Sequence, residues 1–293
     1  MQRKILDVSY HKGDINFIKV RNAGYVGVII RAGYGKGNID TKFKQNLQRA
    51  TDAGLSVGLY WFSYAYTKSM AVAEAEYCLK FLNGHKLQLP IFFDWEYDSE
   101  SYAKKNGVKV THALVKSMTQ AFMSQIEKSG YRTGFYYNDD YQQRGLILLS
   151  DYDKKYARWF ARYKASDTMH KTADFWQYSE NGSVPGVSGT GTDVNKIIDY
   201  RYVKFNGRIP KCPARGYYKY GDGYLTCTSK YSQTEIMEIQ RFLFVRGYYD
   251  SDIDGKYGSN TDHAVSNFQR DEGIKIINGC WGRYCEAAMK KYV

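Results

Sequence analysis

The order of apolar runs over residues 4–198 constrains this chain's fold more than any other feature. Residues 4–9, 26–32, 55–62, 89–94 and 133–137 read as short strands. The segments between them read as helices at 14–20, 40–53, 69–82 and 111–128. In the second of these Phe43, Leu47 and Ala50 recur at helical spacing before Gly54, and in the last Thr111 stands as cap and Gly130 as stop. Alternating strands and helices argue for a parallel sheet covered by helices. After residue 137 the pattern changes. Three more strand-like runs follow at 157–162, 174–178 and 192–198, and the 11 and 13 residues between them leave little room for a full helix. Eight strands, the last three without covering helices, predict an α/β fold of irregular TIM-like (β/α)5(β)3 type rather than an open sheet.

In such barrels the chemistry sits where the strands end at one mouth. The run Leu89-Pro90-Ile91-Phe92-Phe93 ends in Asp94-Trp95-Glu96. Strand side chains alternate faces, so Asp94 and Glu96 point the same way, with Cβ atoms about 6.5–7 Å apart. That is close to the spacing of carboxyl pairs that cleave glycosidic bonds, although two acids at a strand end are also an ordinary solvated or salt-bridged pair. Asp7 ends the first strand and Asp193 lies on the last, so four acids converge on one mouth. Buried like charges are costly unless they are used or neutralised. Tyr60, Phe62, Tyr136, Asn138, Trp159 and Trp176 are predicted to ring them as substrate-binding residues. Core packing is the competing explanation for each aromatic. The loop Gly33-Tyr34-Gly35-Lys36-Gly37 lacks the spacing of a phosphate-binding loop.

The net charge of +12 is scattered, with no dense Lys/Arg block, which argues against nucleic acid and a polybasic membrane anchor as partners. A diffuse positive field still suits an anionic cell wall, and 29 tyrosines suit carbohydrate surfaces. No run of 18 apolar residues predicts a membrane span, and the first residues lack the apolar core of a secretory signal. The five cysteines form no CxxC pair, and His11, His85, His112, His170 and His263 match no metal-ligand spacing. No metal or cofactor is expected, which argues against a metal-dependent deacetylase. A clip between Cys212 and Cys227, and a bridge from Cys280 to Cys285 or to the linker, are both open.

Several motifs, in order, resemble the glycoside hydrolase family 25 lysozymes, the Chalaropsis-type N-acetylmuramidases. They are Asp7-Val8-Ser9 with Gly13, Ile15, Asn16 and Phe17; Asp40 with Phe43 and Asn46; Phe92 to Glu96; Trp159 with Ala161 and Tyr163; Trp176-Gln177-Tyr178; and Thr192-Asp193-Val194-Asn195. The resemblance implies cleavage of the β-1,4 bond between N-acetylmuramic acid and N-acetylglucosamine with retention. By the same resemblance Glu96 is the general acid and Asp94 is either the nucleophile or the group that orients the substrate acetamide. Asp7 and Asp193 are supporting acids, and Asn195 joins the sugar-binding candidates. Gly33 departs from the pattern, since many members carry Thr there. An inert barrel that only grips glycan is the rival, against which stand the four acids.

Residues 206–230 read as a linker or small hairpin between a 1–205 barrel and a 231–293 module. Ser232 and Glu235 have capping-box spacing before Ile236, Ile239 and Leu243. Ile253-Asp254-Gly255-Lys256-Tyr257-Gly258 recurs as Ile277-Asn278-Gly279-Cys280-Trp281-Gly282, each copy leading into a short helix. With Gln240, Ala264-Val265 and Phe268-Gln269, this resembles the three-helix peptidoglycan-binding domain of cell-wall hydrolases. The expected partner is bacterial peptidoglycan. The combination resembles a phage endolysin, held in the host cytoplasm until a holin releases it, or else an extracellular enzyme exported by a non-classical route.

Overall fold

The computed structural model describes residues 3–163, 172–189, 191–205, 207, 209–210 and 231–293. The chain divides after Tyr202 into two compact units. The expected linker 206–230, with the Cys212–Cys227 clip, lies almost wholly outside the described residues.

The first unit holds strands β1 (Arg3–Val8), β2 (Tyr25–Tyr34), β3 (Asn38–Ile39), β4 (Ser56–Phe62), β5 (Ile91–Asp94), β6 (Thr133–Asn138), β7 (Ala157–Ala161), β8 (Phe175–Gly182) and β9 (Thr192–Ile197). Their order is β1-β9-β8-β7-β6-β5-β4-β2, and a β1–β2 pairing closes the barrel. Among the eight described strands of the closed barrel, β9 runs antiparallel to its neighbours, β8 and β1, and the others pair in parallel. The first residues of β9 therefore reach the mouth to which the parallel strands bring their last. The two-residue β3 folds back on the end of β2. This fold-back accounts for Gly33, because a Cβ there would lie 2.3 Å from the Asn38 carbonyl oxygen and 2.6 Å from the Trp61 ring.

Helices α1 (Phe17–Asn22), α2 (Phe43–Asp52), α3 (Lys68–Leu82), α4 (Tyr97–Lys105), α5 (His112–Lys128) and α6 (Asp139–Gln143) connect the strands as far as β7. The Thr111 hydroxyl caps α5 by accepting from the Leu114 amide, and Val115, Met118, Phe122 and Ile126 turn one apolar face to the sheet. Alternation along the strands gives two separate cores. Trp61, Phe93, Phe135, Tyr137, Phe160 and Trp176 point outward under the helices. Phe92, Trp159 and Phe175 fill the barrel interior, with Phe92 ring-to-ring at 5.2 Å from Trp159 and 5.4 Å from Phe175.

The helix α4 is absent from the sequence reading. Its buried positions are Ser99, Glu100 and Ala103, so no apolar stripe marks it. It is held from outside instead. Arg144 donates through both guanidinium nitrogens to Glu100, at 2.6 and 3.0 Å, and holds that carboxyl down at about 2.

The second unit begins at Val203, two residues before the end of the 1–205 barrel drawn from sequence. The Phe205 ring meets Phe242 at 5.6 Å and the Val203 carbonyl accepts from Arg246. Helices α7 (Gln233–Val245), α8 (Ser259–Asp271) and α9 (Arg283–Met289) enclose Phe242, Phe268 and Trp281. The Ser232–Glu235 capping box forms at α7. Each repeated turn is held by one buried glutamine. Gln240 accepts from the Gly255 amide at 2.9 Å and donates to Asp254 at 2.9 Å. Gln269 accepts from Gly279 at 3.1 Å and donates to Asn278 at 3.1 Å. Cys280 is disulfide-bonded, but not to Cys285, which keeps a buried thiol, so the Cys280–Cys285 bridge does not form.

Candidate active site

Strand β5 ends at Asp94, not at Glu96. Trp95 and Glu96 lie past it, and Glu96 is the N-cap of α4, its amide donating 2.9 Å to the Ser99 hydroxyl. The backbone at Glu96 is still extended (φ −124°, ψ −167°). Strand alternation therefore persists beyond the last ladder bond, and the two carboxyl groups meet and hydrogen-bond to each other. Burial pushes both upward, Asp94 well above the usual carboxylate range and Glu96 to about 7. Two buried acids in direct contact hold one proton between them. Asp94 Oδ1 is buried and has no hydrogen-bond donor among the described residues.

Asp7 on β1 stands directly across the ladder from Asp193 on β9. Opposed residues of an antiparallel pair bring their side chains within about 5 Å. Burial raises Asp7 to about 6, and burial followed by the charge of Asp7 raises Asp193 to about 8. Lys12, whose ammonium donates to the Gly191 carbonyl, pulls both back down. Lys12 carries no motif and was not singled out in the sequence.

A layer of amides fixes Asp7. Its Oδ2 accepts from Asn195 Nδ2 at 2.8 Å and from Gln177 Nε2 at 3.0 Å. Neither amide can turn over. Asn195 Oδ1 accepts from the Trp159 indole at 2.7 Å, and Gln177 Oε1 accepts from the hydroxyls of Tyr136 at 3.2 Å and Tyr163 at 3.0 Å. Gln177 was quoted in the sequence only as part of a motif. Its place two residues beyond the inward Phe175 is the signal that could have found it.

The structure sorts the other candidates. Tyr60 stands among the acids, where burial and then the charges of Asp7, Asp94 and Asp193 push its hydroxyl well above the usual value. Phe62 is half-buried on the same face, opposite Asp94 in the ladder. Tyr136 is buried against Trp159. Asn138 accepts from the Tyr141 amide and caps α6. Trp159 (1% exposed) and Asn195 (0%) are sealed beneath the mouth, so they orient Asp7 rather than ring the opening. Trp176 does not face the mouth at all. It has the outward parity of β8, lies in the core beneath the helices, and donates to the Arg162 carbonyl at 3.0 Å. Among the described residues no three His, Cys, Asp or Glu side chains are grouped to hold a metal ion.

The chain is similar to several known proteins over both of its units. Over residues 232–289 the chain matches a peptidoglycan binding domain model. It is similar to the autolytic lysozyme of Clostridium acetobutylicum, 24% identical over 98% of this chain and 79% of that protein. It is also similar to lysozyme M1 of Streptomyces globisporus, 29% identical over 69% of this chain and 67% of that one. Among solved structures, the bacterial lysozyme from Streptomyces coelicolor superposes with a TM-score of 0.56 at 25% identity, covering 71% of this chain and 93% of that one. The model of glycosyl hydrolases family 25 matches residues 6–187, and with the barrel and its acids in place the chain belongs to that family.

Proposed function

We propose that this protein is a lysozyme of the N-acetylmuramidase type, hydrolysing the β-1,4 bond between N-acetylmuramic acid and N-acetylglucosamine in bacterial peptidoglycan with retention. The observation that carries the reading is the buried Asp94–Glu96 carboxyl pair where β5 ends at the barrel mouth. A glycosidic oxygen leaves only as it gains a proton, and a carboxyl raised to about 7 still holds one near neutral pH. Glu96 is the proton donor. A bound sugar enters between the two carboxyls and breaks their mutual hydrogen bond, leaving the proton on Glu96 and the charge on Asp94. Asp94 then either attacks the anomeric carbon or orients the substrate's acetamide to do so, and both routes retain configuration. Asp7, whose charge two amide donors favour, supplies negative potential where positive charge develops on the sugar, and Asp193, raised to about 8, stands protonated beside it near neutral pH. Nothing favours an inert glycan-binding barrel, since every carboxylate the chemistry needs is at the mouth.

Mass spectrometry of wall fragments after borohydride reduction tests the bond assignment. Reduced muramic acid ends are expected, and reduced glucosamine ends would refute it. The second unit is read as a wall-docking module. A chain ending at Tyr202 is expected to cleave soluble glycan fragments with kcat/KM within about threefold of the full chain, while its sedimentation with intact wall drops at least tenfold; a folded truncation that cannot cut soluble fragments would contradict this. No helix among the described residues is long and apolar enough to cross a membrane. We read the protein as acting on the cell wall, reached by holin-mediated release as in phage endolysins or by non-classical export.

A further inference from the structure

The aromatic surface at the mouth does not end at Phe62. Its ring meets Tyr64 at 5.4 Å, tilted by 56°, Tyr64 meets Tyr102 edge-on at 5.3 Å and 72°, and Tyr102 meets Tyr66 at 6.0 Å, tilted by 46°, so the rings line a bent surface and not a flat one. Each step is on the scale of one pyranose ring. Tyr102 is 41% exposed, and Phe62, Tyr64 and Tyr66 are half-buried, so the rings are seated below yet open above.

We propose that Phe62, Tyr64, Tyr66 and Tyr102 form an extended subsite for the sugar rings of a glycan strand beyond those flanking the scissile bond. The proposal rests on the hydrolase reading above and adds a dependence on strand length.

The strip is continuous with the catalytic carboxyls. Phe62 pairs with Asp94 in the ladder, and the Ser63 amide donates 2.7 Å to the Asp94 carbonyl. Asp98 on α4 acts electrostatically on both Glu96 and Tyr64, so it borders the acid on one side and the strip on the other. The chemistry suits an uncharged pyranose. Its C–H faces stack on neutral rings, and its hydroxyls find tyrosine hydroxyls beside them. Tyrosine also loses little conformational freedom on binding, having two side-chain torsions.

The strip is built in advance. Glu74 on α3 is 2% exposed and takes no part in the mechanism. Its carboxyl accepts from the Tyr64 amide at 2.9 Å, and the Ser63 hydroxyl beside it accepts from the Ala65 amide at 3.1 Å. The Ala65 carbonyl accepts in turn from the Trp95 indole at 3.0 Å, next to both catalytic acids. A buried acid is costly to keep. Here it fixes the backbone that carries Tyr64 and Tyr66, and through Trp95 it sets that backbone against the reacting carboxyls.

The test compares kcat/KM for a soluble muramyl–glucosaminyl tetrasaccharide and the corresponding octasaccharide. Wild type is expected to favour the octasaccharide. The double variant Tyr66→Ala/Tyr102→Ala is expected to lower the octasaccharide-to-tetrasaccharide ratio about tenfold, and Tyr66→Phe/Tyr102→Phe, which keeps the rings, to hold it within about threefold. Equal losses on both substrates in the alanine variant, or a wild type indifferent to length, would overturn the subsite and leave the hydrolase reading standing. A wild type that cleaves neither would overturn both.

Discussion

Glu96→Gln is expected to lower kcat for peptidoglycan hydrolysis by about 10³-fold or more, since the amide keeps the shape of the acid and cannot give up a proton. Release of reducing ends measures the loss, and a variant keeping a tenth of wild-type activity would place the proton donor elsewhere. The same change is expected to raise the thermal midpoint by a few degrees. Glu96 and Asp94 are forced together in a buried mouth, and removing one acid relieves the conflict. Loss of activity with gain of stability separates a poised catalytic acid from a structural one.

The second large effect is on stability as a function of pH. Asp7, Glu96 and Asp193 are raised to about 6, 7 and 8, and burial pushes Asp94 well above its usual value. Between the ordinary carboxylate range and these values the folded barrel holds protons that the unfolded chain has released. Stability is therefore fully present below the unfolded values and falls as pH rises through the folded ones. Glu100 works the other way, but it is depressed to about 2 and affects stability only below its unfolded value of 4.5. His11, lowered by burial, opposes the trend and is exposed at the surface. Glu74 and Asp174, raised by burial to about 7 and about 6, add to the same trend. The net expectation is a fall of at least about 10 °C in the barrel's midpoint from pH 5 to pH 8.5. Calorimetry at the two pH values checks it. Asp193→Asn should flatten the slope markedly, and a midpoint independent of pH would mean that the four acids are not buried together.

The barrel was legible because its strands are apolar and its major helices carry a regular stripe. Asp7, Asp94 and Glu96 could be read from strand ends and parity, whereas Asp193 stands near the start of the last strand and reaches the mouth because β9 runs antiparallel. Parity reached Glu96 for a reason sequence does not reveal, namely that the backbone stays extended one residue past Trp95 before α4 begins. The helix α4 itself escaped notice because it is fastened by the Glu100–Arg144 ion pair, and a polar helix of that kind has no periodic signature. Aromatic residues were harder to place than acids. Trp159 and Trp176 both stand in late strands with similar neighbours, yet one fills the interior and the other lies under the helices. A one-residue change of register separates these fates. Gln177 and Lys12 matter through partners more than a hundred positions away, and no local pattern could show that.

The closing ladder between β1 and β9 has a consequence for how the protein comes into being. Asp7 is bound by Asn195, 188 residues later in the chain. Pairing over so long a separation carries a large loop-closure cost and forms slowly compared with local helices. During synthesis β1 can pair with β2 early, but its other edge waits for nearly the entire barrel to be made before β9 exists. No nascent fragment short of β9 can assemble the four-acid mouth. Any activity that needs the four acids together therefore resides only in finished barrels.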